Sequence, residues 1–421
     1  MENVRFTLLT AIAMLASSLG AIPAVIAAGG EETQTAKLTL KSTEECASLK
    51  GAVYLKSTGL DMINRAGFYS PDHGRTWTFQ SFSPDFDSKL PYGYRRVACP
   101  PFVDPVNGKI IKLILSLDTP GLNPGDPEPP IGEKVYYLRY RVSVDGGKTY
   151  LFDTPIVQKG KTPDNPFDDI RRGNVGFYMG DSGSQIIRTR SGRIIIPAQA
   201  GVCGPDGKLW NPSGLPSYNV AMMILGSWQE DNTIQWEAVR FIKGDPARSM
   251  RGMIEPTLAE MSDGRLLCVM RGSNGGSKDP MHRVPSYKWY SVSSDDGDTW
   301  TKPEPWTYDD GKPFFSPSAM SQLLRHSSGR IFWIGNISPS NCKENAPRYP
   351  LVIGEIDSRT LRLIGRTVLV IDTKRPDESG VNLSHWWGFE DRETKDIVVA
   401  GQRSSEGYKT SSPVTYRISV R

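Results

Sequence analysis

Few side chains in this sequence have the type and spacing that chemistry needs. Its 421 residues include four His and five Cys. No His forms an HExxH or similar ligand pair, so a His-based metal site is not expected. Cys46, Cys99, Cys203, Cys268 and Cys342 lack CxxC spacing. An odd number at wide intervals argues against a zinc cluster or a disulfide framework, while one or two bridges remain open in an oxidising compartment. His385 stands in NLSHWWGFEDRETKDIVV. Its imidazole titrates near neutral pH and can serve as nucleophile or general acid/base. It can equally be a hydrogen-bonded His beside two tryptophans at a strand edge. Trp386 has two readings as well, a core side chain or a platform on which a sugar ring stacks.

A recurring acidic phrase is more regular and less chemical. SPDHGRTW at 70, SVDGGKTY at 143 and SSDDGDTW at 293 share Ser-x-Asp-x-Gly-x-Thr-Trp/Tyr, with degenerate relatives QEDNTIQW at 229 and IDSRTLRL at 356. The Asp caps backbone amides of a tight turn, the Gly takes the positive φ, and the aromatic tucks between strands. These boxes are expected to stabilise hairpins without catalytic work, and His73, inside the first, is expected to face solvent.

A second phrase alternates with the boxes. NGKIIKLIL at 107, SGRIIIPAQ at 191, DGRLLCVMR at 263 and SGRIFWIGN at 328 each join a turn to an apolar run, with TKDIVVAGQ at 394 as a degenerate copy. This is a hairpin turn feeding a central strand. Paired, the phrases give six units beginning near Ala52, Lys109, Arg193, Arg265, Arg330 and Asp396. Each unit is roughly 65 residues long, a four-stranded blade with loops. The expected fold is all-β, a six-bladed β-propeller of four-stranded antiparallel blades. The 41 Gly and 32 Pro suit many turns, and no helical periodicity competes. AKLTLKS near the start and SPVTYRISV at the end are predicted to share one blade and close the ring, which removes an exposed sheet edge. Inserts beginning at 119 and 199 are expected as loops at one face.

Residues 1–28 read differently. Arg5, an apolar run and a small-residue exit before Glu31-Glu32 describe a secretory signal cleaved near Ala27 or Ala28. The alternative is an uncleaved anchor, which Gly20 and Pro23 interrupt. Residues 29–421 then form one domain, secreted or periplasmic, with no later run long enough to span a bilayer. Lys plus Arg is 50 and Asp plus Glu 46, a net charge of +4, too small and dispersed for nucleic acid. The mature chain is expected to be a monomer.

Three boxes on six units resemble the sialidase (neuraminidase) superfamily, over most of the mature chain. VDPVNGKIIKL resembles that family's second blade and SQIIRTRSGRIIIPA its third. IEPTLAEMSDGRLLCVMR resembles the fourth, and APRYPLVIGEI the fifth. The boxes specify fold far more than activity. By this resemblance Arg271 and Arg348 belong to a cluster that grips a substrate carboxylate, for which the planar, permanently charged guanidinium suits a bidentate contact. Glu255 corresponds to the carboxylate that deprotonates a tyrosine nucleophile. Asp61, the one acid in STGLDMINRAGFYS, corresponds to the acid/base. No cofactor is implied.

The chain departs from the family in three ways. CASLKGAVYL stands where the family's first arginine belongs, and nothing in the sequence selects among Lys50, Arg65 and Arg95 as a substitute. No Tyr precedes the sixth-blade strand; His385 and Trp386 are near its place. The acidic pair of the last box-like turns is poorly kept. Three functions follow as expectations. The leading one is an exo-acting glycoside hydrolase on a terminal carboxylate sugar, with Asp61, Glu255 and His385 catalytic and Arg271, Arg348 and Trp386 binding. The second is a hydrolase or β-eliminating lyase on uronic-acid glycans. The third is a carbohydrate-binding propeller without turnover.

Overall fold

The computed structural model describes residues 34–44, 49, 51–56, 58–80, 93–119, 132–405 and 409–421. The proposed signal segment, Cys46 and Lys50 lie outside them, as does the side chain of Arg95. From Ala36 to Arg421 the chain is one compact unit.

The strands form six antiparallel sheets, each a blade. The first is built from Val53–Tyr54, Met62–Ile63, Phe68–Ser70 and Thr78–Phe79. The fourth, the most regular, runs Ile254–Glu260, Leu266–Arg271, Lys288–Ser293 and Glu304–Pro305. The sixth contains Trp386–Glu390, Ile397–Ser405, Ser411–Val420 and, as its outermost strand, Leu38–Glu44. Leu38 pairs with Val420 and Leu40 with Ile418. The chain start and chain end therefore share a blade, as the sequence predicts, and the ring has no open edge there.

The phrase DGRLLCVMR explains why such strands are central. Leu266–Arg271 is buried along its whole length, since both of its faces pack against neighbouring blades, so the sequence reads as a continuous apolar run. Large clusters fill four of the joints; Leu267, Trp306 and Trp333 meet between the fourth and fifth blades. The joints flanking the first blade are thin, with few buried apolar side chains.

Each box does what its residues dictate. Ser70 Oγ accepts from Gly74 N at 2.8 Å, Asp72 Oδ1 accepts from Thr76 N at 2.8 Å, and Trp77 Nε1 donates to the Gly74 carbonyl at 3.0 Å. The box at 293 repeats the pattern. Those hydrogen bonds bring Asp72 down to about 2, led by the Thr76 hydroxyl and N–H.

His73 departs from expectation. It does not face solvent; its side chain is only 7% exposed. Its Nδ1 lies 2.8 Å from Tyr54 Oη and its Nε2 2.9 Å from Asp391 Oδ2, an acid that also accepts from Arg417 at 2.7 Å. The turn is surface-like by sequence, but it docks on the sixth blade. This polar chain reinforces a joint that has little apolar packing. Of the described cysteines, Cys203, Cys268 and Cys342 are free thiols. Among the described residues no helix is long and apolar enough to cross a membrane.

Candidate active site

Strand direction sorts the candidates. In every blade the first strand starts at one end of the disc, so blade entries and connections from second to third strand share that end. The first-to-second turns and the boxes share the other. Glu255 begins a first strand, Arg271 ends a second, Arg348 precedes a third and His385 precedes a first. All four belong to the same end. The insert after residue 201 joins a second to a third strand and borders that end too.

Glu255 and Arg271 are joined directly. Arg271 Nη1 donates to Glu255 Oε1 at 2.5 Å, with both side chains largely buried. Glu255 sits where the pairing register shifts and holds φ at +48°, a left-handed conformation uncommon for a side chain of this kind and often found at functional positions. Its N–H donates to Gln199 Oε1 at 2.7 Å.

Arg271 and Arg348, from adjacent blades, meet at one residue. Arg271 Nε donates to Ser318 Oγ at 2.7 Å, and Arg348 Nη2 to the Ser318 carbonyl at 3.3 Å. Arg348 Nη1 donates to Ser384 Oγ at 2.9 Å, next to His385. His385 Nε2 in turn lies 3.7 Å from Asp181 Oδ2.

Asp61 is not brought to this group. The reading of residues 57–70 as one loop missed the short strands Met62–Ile63 and Phe68–Ser70, the first of which puts Asp61 and Arg65 in turns at opposite ends of the blade. Asp61 falls in the box-end turn, 3.7 Å from Lys56 Nζ. Arg65 falls in the other turn and lines the cavity beside Glu255. Arg65 is thus the candidate for the missing first arginine that the described residues place at the site; Lys50 and the side chain of Arg95 lie outside them. Trp386 is also corrected. It is fully buried between the fifth and sixth blades, so its ring has no face to offer a sugar.

A cavity of about 420 Å³ opens beside Glu255, lined also by Arg65, Glu133, Tyr178, Asp181 and Arg251. Four of these residues were not anticipated. Asp181 lies in GDSGSQI, residues 180–186, which interrupts the first strand of the third blade between Phe177–Met179 and Ile187–Arg188. Two glycines let it enter the centre. A Cβ on Gly180 would stand 2.8 Å from Glu255 Cα, and one on Gly183 2.0 Å from the Ser321 carbonyl oxygen. Glycines inside a strand pattern signal such a break. Glu133, on the short helix Gly132–Val135, accepts from Tyr178 Oη at 2.5 Å and Asn219 Nδ2 at 2.6 Å. Burial raises the Glu133 carboxyl, and burial together with that carboxylate raises the Tyr178 phenol. No sequence pattern singles out Arg251, Glu133 or Tyr178.

The site end is crowded with cations. Arg251 donates to Ser217 Oγ at 2.6 Å while its Nε has no partner among the described residues. Burial, then the charge of Arg271, brings it down to about 10. Lys288, fully buried with its ammonium on the Ala319 carbonyl, is lowered to about 7 by burial and then by Arg271. Like charges held this close disfavour one another, so the arrangement favours an incoming anion. Among the described residues no group of acids, His and Cys is arranged to hold a metal.

A larger cavity, about 730 Å³, lies toward the box end and shares Pro100, Met179 and Ser184 with the first. Its other walls include Tyr54, Phe102, Trp387 and Phe389, and none of the arginine group reaches it.

The architecture and the sequence have known counterparts. No curated protein matches the sequence. Among solved structures, a Dyadobacter fermentans protein of unknown function is similar at 12% identity, over 92% of this chain and 99% of that one, with a TM-score of 0.52. A Hadza microbial sialidase is similar at 14% identity, over 91% of this chain and 65% of that one, with a TM-score of 0.50. At these identities the shared property is the propeller fold. Residues 131–393, more than half of the chain, match the BNR repeat-like domain. The protein belongs to the BNR repeat-like domain family, on a six-bladed propeller of the kind sialidases use.

Proposed function

We propose that the protein is a glycoside hydrolase that releases a terminal acidic sugar, bound at the end of the disc where Glu255 stands. The observation that carries this reading is the convergence of Arg271 and Arg348 on Ser318. Two guanidiniums gathered at one residue suit a carboxylate held by both. Arg65 and Arg251 line the adjoining cavity and add positive potential. Glu255 orients Arg271, and His385, next to the Ser384 that Arg348 contacts, supplies an imidazole. The N-terminal segment is proposed to export the chain, and N-terminal sequencing of the mature protein tests that.

The test is release of free acidic sugar from mixed sialylated and uronic-acid glycoconjugates, followed by mass spectrometry. Release that falls at least tenfold in Arg271→Ala and in Arg348→Ala supports the reading. No release from any of them, with no saturable binding of the free sugars, overturns it.

One observation favours a second reaction at the same site. Tyr178 lines the cavity beside Arg251, and a lyase needs a cation on the uronate carboxylate with proton-transfer groups nearby. β-Elimination would give an unsaturated product absorbing in the near ultraviolet. Hydrolysis products alone would rule this second reading out.

A further inference from the structure

We infer that Asp181 and His385 form the proton-transfer pair of this site, facing each other across the propeller axis from the third and sixth blades. The inference rests on the glycosidase reading above and names the groups that move the proton.

The Asp181–His385 separation is informative. At 3.7 Å, Nε2 and Oδ2 are too far apart for a direct hydrogen bond, yet close enough for one oxygen atom to contact both. Both groups are one-third exposed, and Asp181 lines the cavity. Each is also held from behind. Asp181 Oδ1 accepts from Ser182 N at 2.6 Å and from Ser182 Oγ at 3.2 Å, which leaves Oδ2 toward His385. The His385 Nδ1 side faces Ser384 Oγ at 3.4 Å, and Ser384 is held by Arg348. Asp181 reaches the axis only because Gly180 and Gly183 let the broken strand approach Glu255 and Ser321. A strand interruption fitted this closely to three other blades suits a positioning role.

Among the described residues, Asp181 from the third blade faces His385, and Arg348 from the fifth reaches it through Ser384. The carboxylate favours the imidazolium and the guanidinium opposes it. In the first step the imidazolium passes its Nε2 proton to the glycosidic oxygen as the bond from that oxygen to the anomeric carbon breaks, and the bonding electron pair stays on the oxygen. Water then takes the vacated position, adds to the anomeric carbon and gives a proton to the neutral imidazole. Asp181 accepts a hydrogen bond from that water and balances the charge of the ring.

The experiment compares wild type, Asp181→Asn and His385→Gln on two glycosides of the same acidic sugar, one with an alkyl alcohol as leaving group and one with a nitrophenol, which departs without a proton. Proton transfer of this kind contributes about 10²–10⁴-fold. Both variants should lose at least a hundredfold on the alkyl glycoside and far less on the nitrophenyl glycoside. Binding of the free sugar, read by calorimetry, should persist. Separately, His385→Gln identifies the His385 ring resonance by NMR, and Asp181→Asn should move its titration to lower pH. Full alkyl-glycoside activity in Asp181→Asn, or an unchanged His385 titration, overturns the pair. Wild type inert on both glycosides and unable to bind the sugar overturns the glycosidase reading instead.

Discussion

Glu255 holds Arg271 at 2.5 Å from a backbone position with φ of +48°, so this ion pair of the site rests on an unfavourable conformation. Glu255→Gln keeps the size of the side chain but removes the charge opposite a buried guanidinium. We expect acidic-sugar turnover to fall by at least tenfold and folding stability to fall by about 1–3 kcal/mol, read from urea unfolding. Glu255→Gly, free at this φ, should lose turnover while losing less stability than Glu255→Ala.

Gly183 is the tightest point of the axial segment, with no room for a Cβ between it and the Ser321 carbonyl. Gly183→Ala is expected to cost about 1–3 kcal/mol as backbone moves to relieve the contact. Because the shift displaces Asp181, turnover should fall even at temperatures where circular dichroism shows the variant folded. An unchanged melting temperature and rate would contradict the close approach.

Acid should loosen the joint between the first and last blades. Burial tends to raise Asp391, but the Thr394 N–H and hydrogen bonds from His73 and Arg417 outweigh it and bring the carboxyl to about 2. A carboxyl lowered from 3.8 stabilises the fold above about pH 4, and the contribution, on the order of 2 kcal/mol, is lost as pH falls toward 2. Asp391→Asn should be less stable than wild type at pH 6, with a shallower decline between pH 4 and 2, measured by denaturant unfolding at each pH.

Lys288 gives a dependence of the same sign at higher pH. Its folded-state value of about 7 lies below the ordinary 10.5, so between those limits the unfolded chain binds more protons and stability rises with pH. Lys288→Met should flatten that rise and be more stable than wild type below pH 7. Unfolding curves from pH 6 to 10 check the slope, and equal slopes in both proteins would exclude a strongly lowered Lys288.

The scaffold was legible because its signals are local. A box closes its hydrogen bonds within eight residues, from Ser70 to Trp77, and a central strand declares itself by an unbroken apolar run. Glu255 and Arg271 were singled out together because one hairpin, resembling the fourth sialidase blade, carries both, but their ion pair was not foreseen. Asp61 misled because a strand of two residues, Met62–Ile63, is too short to leave a pattern, yet it reverses the end at which a neighbouring acid emerges. Trp386 and His73 misled because the next blade decides their burial.

The sequence alone therefore determined six blades, the boxes that brace them and the strand that closes the ring. Only the tertiary structure decided which arginines gather at Ser318, that Arg65 rather than Asp61 reaches the site, and that Asp181 meets His385. These groups come from blades far apart in the chain, and only ring closure brings the starts of the first strands to one axis.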